Sequence, residues 1–358
     1  MKTTELPRWA SGFVLPLLNL LTALVIAGLV INLLGESPVE SLHILVSNSL
    51  MPEHLGYTLF YATTFIFTGL SVSVAMKAGL FNIGTEGQMY IGGLGLTVAM
   101  LTFDASLPAI VLIPVAILGS MLFSALWAFL PGYLQAKRGS HIVVTTIMFN
   151  YIAASLMNTI IVKLVPDGAQ NPASRAFSDN GSLPRLGEWI PQLAEGPLNL
   201  SFIMALAALA LYGVVVWRSP WGYKLRATGL NPNAAHYAGV SISRMIIVAM
   251  LISGALAGLA AVNSIMGSTH YLSISFPAGA GFIGIAVALM GRQHPVGIFL
   301  SSVLFGALIQ GGGELSFQKP AIPAETFIFI QGLIILFCGA MENLYGPALL
   351  KLLNSRKG

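Results

Sequence analysis

Long apolar segments without charged residues are the feature that most limits how this chain can fold. The first runs from about Phe13 to Leu34 and exceeds the roughly 20 residues needed to cross a bilayer. Similar segments recur along the chain, in which 56% of residues are hydrophobic and 8% are charged, against about 25% charged residues in soluble domains. Because backbone groups in lipid must be satisfied within the segment itself, this pattern predicts an all-α polytopic membrane protein.

The apolar pattern predicts about ten transmembrane helices in a single domain, residues 1–358. After the first, the predicted spans cover residues 56–76, 89–103, 109–130, 142–164, 201–217, 245–266, 278–290, 296–310 and 325–344. The segment 278–290 is short for a full span. In the seventh span, Gly254 and Gly258 form a GxxxG pair, which favours close helix packing.

Polar stretches separate these spans. A polar stretch with Glu36, Glu40 and Glu53 follows the first span, and residues 131–141 are predicted as a polar loop. Residues 166–198, the longest polar insert, are expected to form an external loop with one short amphipathic helix. Residues 218–244 are predicted as a basic loop on the opposite side.

Positive charge is unevenly distributed between the two sides. With ten spans, only Lys163, Arg175, Arg185 and Lys319 face one side, and the other 17 − 4 = 13 Lys and Arg residues face the other. Because Lys and Arg collect in cytoplasmic loops, both termini and loop 218–244 are predicted to be cytoplasmic. The net charge of +4 therefore indicates topology and not nucleic-acid binding.

A polar, glycine-rich stretch, residues 79–89, lies between the second and third spans. It carries the ionisable Glu86 and the amides Asn82 and Gln88 at positions flanked by membrane segments. Such groups cost free energy when buried unless they find partners or line a wet cavity. A broken helix at membrane depth is tolerated only inside protein or beside a water-filled path. Glu86 is therefore either part of a translocation pathway or a structural carboxylate bonded to backbone amides freed by the glycines.

Small and polar residues recur at four-residue intervals in the fifth span. They are Thr146, Asn150, Ala154 and Asn158, and this spacing predicts one helix face directed at protein or water. Asn150 could instead make a hydrogen bond between helices. The candidate pathway residues are Asn82, Glu86, Gln88, Asn150 and Tyr151.

A short helix is predicted inside loop 218–244. Asn231 is placed as its cap, Pro232 as its first residue and Gly239 beyond its end. A short surface helix between two spans is well placed to transmit a movement of a soluble partner to the membrane helices. The candidate coupling residues are Arg226, Gly229, Asn231, Pro232, Ala234, Ala235, Tyr237 and Gly239.

Catalytic and metal-binding motifs are missing from the sequence. The six histidines show no HExxH spacing, which argues against a metal site. The chain has no G-x-x-x-x-G-K-[ST] motif, so ATP hydrolysis by that route would need another polypeptide. A membrane-embedded enzyme is disfavoured because no pair of nucleophile and base is recognisable.

Several segments together resemble the permease subunits of ABC importers of the nucleoside, simple-sugar and branched-chain amino acid type. They are residues 79–89, 131–139, 145–151, 226–239 and 284–295, within a resemblance that covers about residues 70–340. Within this family, the sequence of residues 79–89 resembles the nucleoside permeases most. Where the family pattern leads one to expect an acidic or amide residue after the basic pair, this chain has Gly139-Ser140-His141, which leaves the role of that loop open.

The resemblance implies a fold like that of the vitamin B12-type importer permeases, in the cytoplasmic membrane of a bacterium. It also implies three partners: a second permease, an ATPase with two nucleotide-binding domains, and an external binding protein. ATP and Mg would be bound by the ATPase, with no cofactor in this chain, and the helix after Asn231 would dock on the ATPase. A nucleoside base could stack on Phe81, Tyr90 or Tyr151. The alternatives are a permease for a simple sugar, such as ribose or a galactose form, and an ion-coupled transporter acting alone.

Overall fold

A computed structural model of the protein describes residues 14–166, 171–323 and 325–340, and the single positions 7, 168, 347 and 350. Within these ranges the chain is helical, and its only bridges of β type are the isolated pairs Ala173–Ser273 and Arg185–Asn199. The helices are α1 (Leu15–Leu33), α2 (Pro38–Leu50), α3 (Pro52–Lys77), α4 (Thr85–Phe103), α5 (Ala109–Arg138), α6 (Ile142–Leu164), α7 (Ser201–Arg218), α8 (Pro220–Leu230), α9 (Pro232–Tyr237), α10 (Ile242–Ser264), α11 (Ala280–Met290), α12 (Pro295–Gln318) and α13 (Glu325–Ala340).

Length and apolar composition qualify six of the described helices to cross a membrane. They are α3, α5, α6, α7, α12, and α10 with the π-helical turn that continues it to Thr269. Residues Leu24–Leu33 of α1 qualify only together with α2, as a pair bent by 120°, which would make seven. The predicted all-α polytopic class is confirmed. The number of ten spans stays a prediction, and the terminal residues lie outside the part of the chain that the structure describes.

Three stretches between the predicted spans contain helix. In the polar stretch after the first span, residues 38–50 form α2, which begins after the cap Ser37, and its Asn48 side chain bonds back to the carbonyl oxygen of Ile44 at 2.9 Å. In the predicted loop 218–244, helix α8 precedes the expected short helix. Helix α5 continues through Pro131 to Arg138 and ends where Gly139 adopts a left-handed φ of 68°. The loop prediction for residues 131–141 was wrong because Pro131 and the polar residues after it were taken as the end of a helix that extends beyond its apolar part.

The chain divides into two compact units, residues 1–51 with 307–358, and residues 52–306. In the first unit, the turn between α1 and α2 is tied to the end of α12. The Lys319 Nζ atom lies 2.7 Å from carboxylate oxygens of both Glu36 and Glu40. In the same unit, Gly311 of α12 packs so closely on Leu45 of α2 that no side chain would fit at position 311.

The core of the larger unit is built on close contacts between α10, α5 and α4. A Cβ atom on Gly254 would lie 2.5 Å from the Ser124 carbonyl oxygen, and one on Gly258 would lie 2.7 Å from that of Ser120. The Ser120 hydroxyl donates a hydrogen bond to the Gly258 carbonyl at 2.8 Å. Because lipid supplies no hydrophobic drive between helices, close backbone packing and such bonds stabilise the contact. The GxxxG prediction is confirmed.

The predicted eighth segment, residues 278–290, contains a short helix that follows an irregular stretch. After α10 and its π-helical turn, the chain turns at His270, which has a left-handed φ of 58°, and continues without regular structure. Ala278 and Gly279, with φ values of 48° and 81°, precede the 11-residue helix α11. The Leu272 N–H bonds to the Ser174 hydroxyl, so the insert holds this irregular segment at one end.

The polar insert caps this end of the larger unit. It contains three short 3₁₀ turns at residues 179–181, 186–188 and 191–193 in place of the expected amphipathic helix. Its Arg175 guanidinium makes a two-pronged ion pair with Asp104 at the end of α4, with N···O distances of 2.8 and 2.9 Å. Asp104 is almost fully buried, and Arg175 is half exposed.

We expect this ion pair to hold the insert in a pH-dependent way. The hydrogen bonds from Arg175 hold the pKa of Asp104 below its usual range, so the pair stabilises the fold at every pH above about 4 and loses this effect as the pH falls through the lowered pKa. Because Arg175 is solvated, the contribution is on the order of 1 kcal/mol. Hydrogen exchange of amides 174–178, corrected for intrinsic rate, should be faster in Asp104→Asn than in wild type at pH 7.

The Arg175→Lys variant is the matched control, because it keeps the charge and loses the planar fork. It should show intermediate protection. Equal protection in wild type and Asp104→Asn at pH 7 would show that the insert is held by other contacts.

Candidate functional site

The predicted break between the second and third spans is present. Helix α3 ends at Lys77 and α4 begins at Thr85, and we call residues 78–84 the link. The N–H of Leu80 bonds to the Ala75 carbonyl and that of Gly79 to the Met76 carbonyl, both at 3.0 Å. This pair of bonds is the Schellman arrangement, in which Gly79, with a φ of 78°, takes the left-handed position after the helix.

The amides Asn82 and Gln88 face each other. Each side-chain nitrogen approaches the oxygen of the other amide, at 3.3 and 3.4 Å. Asn82 also donates to the Ser253 hydroxyl of α10 at 2.9 Å and accepts from the Gly84 N–H at 2.8 Å. Both amides are buried. In this structure they tie the link to α4 and α10 and do not face an open cavity.

Asn150 of α6 fastens the other side of the link. Its side chain donates to the Ile83 carbonyl and accepts from the Gly87 N–H, both at 2.9 Å. Thr146, one turn earlier, accepts a bond from the Ile83 N–H at 3.3 Å. A side chain on Gly87 would meet Asn150 Oδ1 at 2.7 Å, so this glycine allows the approach of α6.

Glu86 caps the start of α11. Its Oε1 accepts a bond from the Gly279 N–H at 2.9 Å, and its Oε2 accepts one from the Gly281 N–H at 2.7 Å. Only 7% of Glu86 is exposed. The Glu86 carboxylate thus binds unpaired backbone amides, as one of the two alternatives expected. These amides belong to the start of α11 and not to residues 79–89. Sequence reasoning missed these partners, although the glycines before a short apolar helix marked an irregular backbone.

The predicted polar stripe of α6 divides between two directions. Thr146 and Asn150 point at the link, whereas Asn158 is exposed and the buried line continues through Ala153 and Met157. The single-face prediction was therefore wrong for the second half of the stripe. At 3.6 residues per turn, each step of four residues rotates by about 40°, so three steps carry Asn158 about 120° from Thr146. Tyr151 is 69% exposed.

The short helix in loop 218–244 has the predicted form. Asn231 accepts a bond from the Ala234 N–H at 3.0 Å, Pro232 opens α9, and Gly239 takes a φ of 80° after its end. Tyr237 is 91% exposed. Of the remaining candidates, Arg226 and Gly229 are half-buried, Ala234 is exposed and Ala235 is buried.

A contact that the sequence did not reveal joins this loop to the link. A Cβ atom on Gly229 would overlap the Lys77 carbonyl oxygen and lie 2.9 Å from the Gly79 nitrogen. The Lys77 ammonium lies 5.2 Å from the centre of the Trp217 ring. The end of α8 therefore touches the start of the glycine-rich stretch directly.

Residues 54–339 match the family described as the permease component of branched-chain amino acid transport systems. This chain belongs to that permease family. The permease is 34% identical over 331 residues to the guanosine ABC transporter permease protein of Bacillus subtilis, a match that covers 91% of this chain and 93% of the relative.

Two further relatives differ in the substrate that their names give. The nucleoside ABC transporter permease protein of Lactococcus lactis is 32% identical, over 90% of this chain and 89% of its own. A glucose ABC transporter permease protein of Haloferax volcanii is 33% identical, over 92% and 88%. The family predicted from the five segments is confirmed. The described residues of the permease include no cluster of three or more His, Cys, Asp or Glu side chains that could hold a metal ion.

Asn150→Ala should destabilise the permease, because it leaves the Ile83 carbonyl and the Gly87 N–H without their partner. We expect a loss of about 1–3 kcal/mol, the cost of leaving buried polar groups unpaired, seen as a lower thermal midpoint in detergent. Asn158→Ala, on the same helix but exposed, is the control and should melt as wild type does. A midpoint for Asn150→Ala equal to that of the control would remove Asn150 from a role in holding the link.

Proposed function

We propose that this permease moves nucleosides inward across the cytoplasmic membrane of a bacterium, as the membrane subunit of an ABC importer. The observation that carries this proposal is the similarity, over about nine-tenths of the chain, to relatives named for guanosine and nucleosides. The glucose permease among the relatives supports the second candidate, a simple-sugar importer. Both candidates share one architecture and differ in the ligand.

The outward face of α6 supports a pathway between two permease chains. Tyr151, Ser155 and Asn158 are exposed on a helix long and apolar enough to cross the membrane. Polar side chains on such a helix are costly in lipid and face protein or water instead. Across this face we place a second permease subunit, with the substrate passing between the two chains. The Tyr151 ring supplies an aromatic surface on which a base can stack.

Helix α9 is the proposed docking point for the ATPase. It lies at the basic end of the larger unit, which we assign to the cytoplasm together with both termini. Its Tyr237 and the preceding Leu230 are 91% and 88% exposed and offer an apolar surface. Helix α9 directly follows α8, and Gly229 near the end of α8 packs on Gly79. A movement of α9 is therefore transmitted through α8 to the link. The full proposal is a vitamin B12-type arrangement of about ten spans.

The remaining partners follow from this arrangement. ATP and Mg belong to a separate ATPase with two nucleotide-binding domains, and this chain hydrolyses nothing itself. An external binding protein delivers the substrate to the end covered by residues 166–198. Capture selectivity then lies largely in that protein.

Uptake measurements test the substrate class. Cells that contain the chain should accumulate labelled uridine and inosine, cells without it should not, and excess unlabelled nucleoside should block the uptake while excess ribose should not. Chain-dependent entry of labelled ribose, with nucleosides inert, would move the assignment to the sugar candidate. Uptake that survives ATP depletion and collapses with the ion gradient would contradict the ABC proposal itself.

Ala234→Asp should uncouple ATP hydrolysis from transport, because it places a charge on the exposed face of α9. We expect substrate-stimulated hydrolysis by the purified complex to fall at least fivefold. Ala234→Gly, which adds no bulk, is the control and should retain most of the stimulation. Ala235 is unsuitable for this test, since its burial would confound coupling with folding. Unchanged stimulation in Ala234→Asp would exclude α9 from coupling.

A further inference from the structure

The predicted eighth segment leaves a helix N-terminus inside the larger unit. Helix α11 has 11 residues, begins after the irregular residues 270–279, and directs its first free N–H groups at α4. The N-terminus of a helix attracts anions through these N–H groups and the helix dipole. In transporters with broken helices, such ends bind anionic groups of the substrate.

In this permease the position is already filled. The two oxygens of Glu86 take the N–H groups of Gly279 and Gly281. A Cβ atom on Gly281 would overlap the Glu86 backbone nitrogen and lie 2.6 Å from its Cα, so the two helix starts touch without a gap. A second anion has no room at this end of α11.

The charges of this region nearly cancel. Glu86 stands in the first turn of α4 and caps α11, and each helix start is equivalent to about +0.5 of an elementary charge. One carboxylate therefore offsets two helix starts. Residues 54–76, 85–103, 142–162, 201–217 and 245–291 contain no other Asp or Glu and no Lys or Arg.

The groups next to Glu86 are aromatic and hydroxylic. Tyr90, one turn further along α4, packs edge-to-face on Phe276 of the irregular segment at a centroid distance of 5.8 Å. Ser275 and Ala278 of that segment and Phe282 of α11 are exposed. A ligand at this surface meets rings and a hydroxyl, and Arg175 of the insert, which lines a pocket with Tyr271, is already paired with Asp104.

We propose that Glu86 serves as a built-in anion that occupies the α11 N-terminus and makes the permease selective for uncharged ligands over anionic ones of the same shape. This selectivity rests on the proposed nucleoside function and sharpens it. A nucleoside is accepted, whereas its 5′-monophosphate is rejected. Removal of the Glu86 side chain leaves two helix starts without an anion and opens the space for one.

Inhibition from the inner side tests this selectivity, since a ligand trapped inside reaches the permease without passing through the binding protein. The complete complex, in proteoliposomes, takes up labelled uridine with unlabelled uridine or uridine 5′-monophosphate (UMP) trapped on the ATPase side. In wild type, internal uridine should slow uptake and internal UMP should not. In Glu86→Ala, which removes both the charge and the bulk of the side chain, internal UMP should slow uptake at least fivefold more than in wild type.

A small carboxylate provides an independent readout. Formate should fill the vacated position in Glu86→Ala, raise its thermal midpoint in detergent and restore the rejection of UMP. Formamide, the uncharged analogue, should do neither, and wild type should respond to neither compound. If Glu86→Ala folds only when formate is present during purification, that result also supports the anion role.

Three results would overturn the inference: equal inhibition of wild type by internal UMP and uridine, continued rejection of UMP by folded Glu86→Ala, or an equal response of Glu86→Ala to formate and formamide. Failure of the proposed function looks different, because wild type would then take up no uridine at all. In that case the formate and formamide melting experiment still decides whether the α11 N-terminus is an anion site that Glu86 fills.

Discussion

The bonds between Glu86 and the start of α11 are the interaction on which the larger unit depends most. Backbone N–H groups at membrane depth have no water to bind, and each one left unpaired costs free energy. The chain breaks its helical ladder there twice, in the link and in residues 270–279. The carboxylate near the start of α4 satisfies the amides that open α11. Side chains of Asn82, Thr146 and Asn150 satisfy backbone groups of the link.

Glycines make this solution geometrically possible. Gly281 lets α11 touch the backbone at Glu86, Gly87 lets α6 bring Asn150 to the link, and Gly229 lets α8 touch Lys77 and Gly79. In each case the first side-chain atom of a larger residue would collide with backbone or with a bonding group. The same close contacts mean that a shift of α8 cannot be absorbed by flexible side chains and is passed to the link. Tight packing thus connects the surface helix α9 mechanically with the buried polar stretch.

Much of this arrangement could be predicted from the residues alone. Apolar length located α3, α6 and α7 closely, and the cap Asn231 with Pro232 located α9, because these signals are local. The Glu86 partners could not be predicted, since they stand 193 and 195 residues further along the chain and are backbone groups. The continuation of α5 past Pro131 was missed because the apolar pattern stops before the helix does. The division of the α6 stripe was missed because a four-residue spacing was treated as a straight line along the helix.

Helix α6 carries the observation behind the proposed second permease subunit. Its early residues Thr146 and Asn150 satisfy the link, whereas Ser155 and Asn158 face away from every described part of the chain. A helix of this length in lipid gains nothing from an outward serine and asparagine, which would lose hydrogen bonds to water without gaining protein partners. The inward residues are explained by the fold, so the outward ones require something outside it. In the proposed transport unit, a water-filled path against a second permease would supply these surroundings. In such a path the hydroxyls, amides and rings would carry the recognition of an uncharged substrate.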